Sequence, residues 1–169
     1  NISADKSLSI RFAILASLAT GKSKAYNLLK SEDVMNTLKC LKKLGIKINL
    51  NKKCCSIDGQ GLNSYIFKDN LTINTGNSGT AARLLCSTLI KSPKKIKIIG
   101  DKSLSNRDMK RVIDPLKKFG ANFYPKNKIT LPLYVSGAKN IRPINYQELR
   151  GSAQCKSAVM LAALSACGT

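Results

Sequence analysis

Apolar residues recur at helical spacing in five stretches and alternate with polar residues in the short runs between them. The spacing predicts helices over about 7–19, 33–43, 79–90, 108–118 and from Gly151 through Leu164. In the second, Val34, Leu38 and Leu41 share one face. Gly21 is expected to stop the first helix, and Gly45 and Gly120 to close the second and fourth as residues just past the helix end. Strands are predicted at Ser23–Asn27, Ile46–Leu50, Cys54–Ile57, Leu71–Asn74, Lys94–Ile99, Ala121–Tyr124, Ile129–Val135 and Ile141–Tyr146. Pro132 cannot donate to a ladder, which marks its strand as an edge or a bulged one. Residues 59–70 and Asp101–Arg107 read as loops.

The order is repetitive. A constant offset of 75 residues separates Asp33 from Asp108 and Gly45 from Gly120, and a two-stranded run follows each glycine. Leu41-Lys42-Lys43-Leu44-Gly45 returns as Leu116-Lys117-Lys118-Phe119-Gly120. The fold class expected is therefore α/β, made of repeated βαβαββ units packed around a shared helical core. The units lie at about 1–60 (lacking its first strand), 71–137, and 141–169, which breaks off where a strand is due. Such units cannot bury their faces alone and must pack on one another.

Composition narrows the chemistry. With 43% hydrophobic residues in 169, one domain with a sizeable core is expected. There are 29 Lys and Arg against 9 Asp and Glu, a formal charge of +20. Two readings stay open: anionic partners, or a general bias toward Lys, Asn and Ile in the source proteome. Six cysteines and no histidine, with no Cys-x-x-Cys pair, argue against a zinc ribbon or a dithiol redox site. The thiols read as reduced and mostly buried, in a cytoplasmic setting. No apolar run reaches the roughly 20 residues that span a bilayer. No signal segment is visible either, although residue 1 is Asn.

The informative residues stand where the first helix of each unit begins: Lys6-Ser7-Leu8-Ser9-Ile10-Arg11, Asn77-Ser78-Gly79-Thr80-Ala81-Ala82-Arg83 and Gly151-Ser152-Ala153-Gln154-Cys155-Lys156. Each is small and rich in hydroxyl or amide groups, with a cation on the second turn. Helix starts offer unpaired N–H groups and the positive end of the dipole. Taken singly, each reads equally as an ordinary cap with solvated cations. Lys6 is expected in the loop before its helix and Arg11 on the second turn. Asn77, Asp33 and Asp108 read as caps. Arg83 and Lys156 stay open between facing a ligand and pairing structurally.

These residues resemble the enolpyruvyl transferases, and within them the 5-enolpyruvylshikimate-3-phosphate synthase family. Four segments carry the likeness: Asp5–Arg11, Gly76–Arg83, Gly100–Arg107 with Met109-Lys110-Arg111, and Gly151–Ala158. The sister family acting on UDP-N-acetylglucosamine opens on a different Lys-Asn motif and uses a loop cysteine that has no counterpart here. The resemblance implies transfer of the enolpyruvyl group of phosphoenolpyruvate to the 5-hydroxyl of shikimate 3-phosphate, with no cofactor and no metal. It implies that Lys6 is catalytic and touches both substrates. Ser7, Arg11, Ser152, Ala153 and Gln154 would hold shikimate 3-phosphate. Gly79, Arg107 and Gln154 would hold phosphoenolpyruvate, and Gly79 would set glyphosate sensitivity. Gly79 also reads simply as easing a tight turn, and Arg107 as a solvated loop cation.

Three positions depart from the family pattern. Ala153 stands where many members carry a second serine, and Ala81 where threonine is commoner. Asp108 replaces a usual proline and puts a carboxylate next to Arg107 that is expected to compete for it. The family has two domains of three βαβαββ units each, and this chain corresponds to most of one. The implied partner is therefore the remaining domain, in a full-length monomer, with neither nucleic acid nor membrane.

Two other classes find partial support in the sequence. Ala16–Ser23 fits a relaxed phosphate-loop pattern, but it closes a helix and enters a strand, the reverse of what that mechanism needs. An RNA-binding module is prompted by the charge. It is opposed by 5% aromatic content and the lack of a basic–aromatic stacking motif.

Overall fold

A computed structural model describes residues 3–149 and 151–168. The chain runs α1 (Lys6–Leu18), β1 (Thr20–Tyr26), α2 (Glu32–Lys43), β2 (Lys47–Leu50), β3 (Cys54–Gln60), β4 (Thr72–Asn74), α3 (Gly79–Thr88), β5 (Ile96–Ile99), α4 (Lys102–Ser105), α5 (Lys110–Phe119), β6 (Asn122–Tyr124), β7 (Leu133–Ser136) and α6 (Ala153–Ala163).

α1, α3 and α6 are apolar or small around most of their circumference, so they form the interior layer. α3 lies between the other two and packs on both. Ile10, Ile14, Leu84, Leu85 and Ala158 are sealed there. Each large aliphatic side chain so buried stabilises the fold by about 1.5–3 kcal/mol. α2 and α5 are amphipathic. They turn Val34, Leu38 and Leu41, and Val112, Ile113 and Leu116, inward and their lysines outward.

Two sheets flank the helices. The first has the order β1-β3-β2 and is antiparallel throughout. The second has the order β4-β5-β7-β6, with β4 parallel to β5 and the rest antiparallel. Order and sense in β1-β3-β2 return in β5-β7-β6. The register agrees as well, since Ile48 faces Ile57 and Phe123 faces Val135, each three residues past its glycine. The repeat seen in sequence is thus a repeat of topology. It is the mixed α/β architecture expected from the periodicity, with repeated units around a shared helical layer.

Several local expectations are corrected. Lys6 is the first residue of α1 and not part of the preceding loop, because Asp5 caps the helix, accepting from the Leu8 amide at 2.7 Å. α1 ends at Leu18 before Gly21 is reached, and Gly21 (φ +92°) lies within β1 opposite Gly59. β3 runs on to Gln60, and the 101–107 loop contains α4. β7 begins directly after Pro132 and lies between β5 and β6, so the proline spares the ladder without marking an edge. Residues 141–146 form no strand. Pro143 lacks a donor, and the segment instead packs Ile141 into the core while the Arg142 amide donates to the Phe119 carbonyl at 3.1 Å. Asp33 sits inside the first turn of α2, whereas Asp108 precedes α5, so the two are not equivalent.

The thiols of Cys40, Cys55, Cys86 and Cys155 are buried, Cys54 is half-buried and Cys167 exposed. Burial pushes Cys40 up to about 11 and Cys86 up to about 12. An unfolded thiol ionises near pH 8.5. The stability held by these two protonated thiols is therefore fully present below about pH 8.5 and declines as the pH rises through about 11 and 12. Urea unfolding at pH 7 and pH 10 is expected to show a lower midpoint at pH 10, with the difference reduced in a Cys40→Ala, Cys86→Ala variant.

Gly59 gives a second expectation. A Cβ there would overlap the carbonyl oxygens of Ala16 and Ala19 at the end of α1, whereas one on Gly21 meets nothing within 4 Å. Gly59→Ala should cost about 3 kcal/mol through backbone displacement. Gly21→Ala should cost about 1–2 kcal/mol through its left-handed φ alone. Comparing urea midpoints of the two variants checks the order.

Candidate functional site

Each interior helix opens on a capped turn. Asp5 caps α1, Ser78 caps α3 by accepting from Ala81 N at 3.2 Å, and Ser152 caps α6 by accepting from Cys155 N at 3.3 Å. Asn77 is therefore not the cap of α3, because Ser78 takes that place. A Ser or Asp cap stabilises its helix by about 1 kcal/mol.

Side chains tie α1 to α6 and α6 to α3. Arg11 on α1 donates through Nε to Ser157 Oγ on α6 at 3.4 Å and through Nη1 to the Ser7 carbonyl at 3.3 Å. On α6, Gln154 accepts at Oε1 from Arg83 Nη1 at 2.7 Å and donates through Nε2 to Thr80 Oγ1 at 2.8 Å. Both partners belong to α3. α2 lies beside the start of α1 and the loop before α3. Asp33 pairs with the Lys6 ammonium at 3.0 Å, and Asn36 lies so close to Gly76 that a Cβ there would overlap Nδ2.

The cationic centre surrounds Gly79. A methyl on Gly79 would come within 2.8 Å of Arg83 Nη1, 3.6 Å of Arg107 Nη1 and 3.6 Å of Leu104 Cδ1. Glycine thus leaves a space bounded by two guanidinium groups and the first turn of a helix. Arg83 also donates to the Asp108 carbonyl at 3.1 Å, while its Nε is buried without a partner. Burial, then the charges of Arg111 and Arg107, push the Arg83 guanidinium below its ordinary value. Cations that disfavour one another beside a helix start would be relieved by an anion.

Arg107 donates to Asn77 Oδ1 at 2.9 Å and, at 3.5 Å, to Ser103 Oγ. It forms no ion pair with Asp108, whose carboxylate turns to the Lys110 amide instead. The competition expected from that departure does not occur. Asp101 accepts from Leu104 N at 2.7 Å and from Asn77 Nδ2 at 2.7 Å. The Leu104 amide first, then Asn77 and Arg107, hold its carboxyl below the usual range.

The predicted residues therefore form two groups. Gln154, Gly79 and Arg107 gather at α3 and α4. Lys6, Ser7 and Arg11 gather at α1, and Ser152 and Ala153 stand at the start of α6 between them. Among the described residues no hydrogen bond or ion pair joins Lys6 or Arg11 directly to the Gly79 group. Arg83, Asn77, Thr80, Asp33 and Asp101 were missing from the sequence-derived site. Arg83 had a signal in its place on the second turn, whereas the other four act through partners distant in sequence. Lys22, from the phosphate-loop pattern, lies on β1 beside Asp58 at 3.8 Å, away from any helix start. No cluster of three or more carboxylates or thiols among the described residues is placed to hold a metal ion. None of their helices is long and apolar enough to cross a membrane.

Fold and site together define a repeat-built α/β protein that gathers two arginines about Gly79 at the start of an interior helix. Comparison with known proteins gives the family. The profile of EPSP synthase (3-phosphoshikimate 1-carboxyvinyltransferase) matches residues 1–169, and the chain belongs to that family. It is 41% identical over 166 residues to the 3-phosphoshikimate 1-carboxyvinyltransferase of Streptococcus pyogenes serotype M49 (strain NZ131), covering 98% of this chain and 39% of that relative. The corresponding protein of serotype M3 (strain ATCC BAA-595 / MGAS315) is likewise 41% identical, with 38% of its length covered. A solved structure of EPSP synthase from Acinetobacter baumannii superposes with a TM-score of 0.90 at 32% identity, over 98% of this chain and 38% of that one. The chain thus spans about two-fifths of the length of these relatives.

Gly79→Ala is expected to leave the chain folded and to weaken binding of small anions by about tenfold, or about 1.4 kcal/mol. Titration with inorganic phosphate, followed through the backbone amide shifts of residues 78–82, checks this.

Proposed function

We propose that this chain is the substrate-holding part of a 3-phosphoshikimate 1-carboxyvinyltransferase of aromatic amino acid biosynthesis. The reaction joins C2 of phosphoenolpyruvate to the 5-hydroxyl oxygen of shikimate 3-phosphate while C3 takes a proton. Phosphate then leaves the tetrahedral adduct as the C3 methyl gives up a proton, so that the net change is loss of the 5-hydroxyl proton and of phosphate, giving 5-enolpyruvylshikimate 3-phosphate. The observation that carries this reading is the glycine-floored space at Gly79 between Arg83 and Arg107, bonded through Gln154 to the start of α6.

Phosphoenolpyruvate lies against Gly79, held by Arg107 and Gln154. Shikimate 3-phosphate lies across the starts of α1 and α6, with Ser7, Arg11, Ser152, the Ala153 backbone and Gln154. Lys6 stands between the substrates and stabilises charge that develops on them. To reach them its ammonium leaves or shares Asp33, which its 55% exposed side chain permits.

The acids near the cleft support a division of labour with further polypeptide. Asp5 caps α1, Asp33 pairs with Lys6, Asp101 holds Leu104 N and Asn77, and Asp108 holds the Lys110 amide. With Asp5, Asp101 and Asp108 held by backbone amides, proton transfer is assigned to groups outside this chain. The relatives' additional length supplies those groups and the rest of a third unit. Leu15, Met160 and Leu164, exposed along the groove between α1 and α6, are where that unit packs. Both substrates are water-soluble metabolites, which suits a cytoplasmic enzyme.

Calorimetric titration of shikimate 3-phosphate into the chain is expected to give one-to-one binding that inorganic phosphate does not match. Arg11→Ala should weaken it about ten- to a hundredfold, the effect of losing a hydrogen bond between charged groups. Residues 1–169 alone should release no phosphate from the two substrates, and measurable release would overturn the division of labour.

A further inference from the structure

We propose that Asp101 is a positioning residue that aims the Arg107 guanidinium at the space beside Gly79 through the side-chain amide of Asn77. The proposal rests on reading that space as the phosphoenolpyruvate subsite.

Donor and acceptor chemistry allows one arrangement of the three groups. An ionised carboxylate only accepts, a guanidinium only donates, and an amide does one at each end. Asp101 Oδ2 takes the Asn77 NH2 at 2.7 Å, which obliges Asn77 Oδ1 to face away. Arg107 Nη2 donates to that oxygen at 2.9 Å. The orientation of the amide is thus dictated from the Asp101 end.

Asp101 is itself held fast. Its Oδ1 caps α4 through Leu104 N, and its own amide donates to the Gly76 carbonyl at 2.9 Å. The loop carrying Asn77 is pinned beside it, since Thr75 N donates to the Ile99 carbonyl at 2.9 Å and Gly76 N to Asn74 Oδ1 at 2.9 Å. The carboxylate is thus anchored on the backbone at one end and on Asn77 at the other, and the relay starts from a fixed point.

The amide also keeps the cation available. No ion pair joins Asp101 to Arg107 among the described residues. A carboxylate placed directly on Arg107 would neutralise it. The neutral Asn77 steers Nη2 and leaves Nη1, 3.6 Å from the position of a Gly79 methyl, free for an incoming anion.

Asp101→Asn separates this role from helix capping, because Asn caps as well as Asp. Its single side-chain oxygen stays on Leu104 N, and its NH2 then faces Asn77. The Asn77 amide turns over and presents NH2 to Arg107, donor against donor. Two readouts follow in the 169-residue chain: order of the Arg107 Nε–H signal by NMR, and affinity for phosphoenolpyruvate with shikimate 3-phosphate present. The variant is expected to lose Arg107 order and to bind about three- to tenfold more weakly. Adding Asn77→Asp to Asp101→Asn restores an acceptor facing Arg107, fed by the new NH2, and should restore its order.

Unchanged Arg107 order in Asp101→Asn, whatever the affinity does, overturns the proposal, and so does failure of the second substitution to restore it. If the parent chain binds no phosphoenolpyruvate, the substrate reading fails, while the Arg107 signals still decide the relay.

Discussion

The 2.7 Å hydrogen bond from Arg83 to Gln154 joins two repeat units at the point where each begins its interior helix. Much else at the site leans on it. It brings the start of α6 against α3, and it draws the Arg83 guanidinium into a half-buried place beside Gly79. It also leaves Gln154 Nε2 free for Thr80. Without it the helices would still pack through Leu84, Leu85 and Ala158, but their polar starts would have no fixed relation. Burying part of a guanidinium disfavours its charge, and two further arginines nearby add to that. An anion in the cleft would relieve the imbalance.

The repeat explains how so few acidic residues suffice. Nine Asp and Glu face 29 Lys and Arg, and the lysines are spread over the exposed sides of α2, α5 and the sheets and over the loops between elements. The acids near the helix starts have definite local tasks, as caps or as partners of single cations. The excess of positive charge is thereby general at the surface but ordered only at the starts. The tyrosines follow the same logic. Tyr124 and Tyr134 face outward under Lys95, with Lys97 also over Tyr134, covering a sheet face and taking no part in the site.

Much of this was legible in the chain. The five long helices follow from apolar spacing, and the repeat follows from the return of Leu-Lys-Lys-Leu-Gly as Leu-Lys-Lys-Phe-Gly. The family was legible in four short segments. Several of the errors share one cause: they needed a partner that sequence position does not reveal. Residues 141–146 have a strand-like pattern but join no sheet, and among the described residues only the Arg142 amide finds a backbone partner, at Phe119. α4 is too short and polar to show a period, and it exists because Asp101 caps it. Asn77 and Ser78 are equally good caps on paper, and only the pull of Asp101 and Arg107 on Asn77 decides between them.

The sequence by itself determined the elements, the repeat, the family and the residue types gathered at each helix start. These depend on neighbours within a turn or two, or on motifs read directly. Tertiary structure alone decided that Lys6 is held by Asp33, that Arg107 bonds Asn77 and not Asp108, and that Arg83 faces Gly79. The physical reason is that a charged side chain takes whichever partner the packed backbone brings within about 3 Å with donor facing acceptor. For Arg83 and Gln154 that partner lies 71 residues away along the chain.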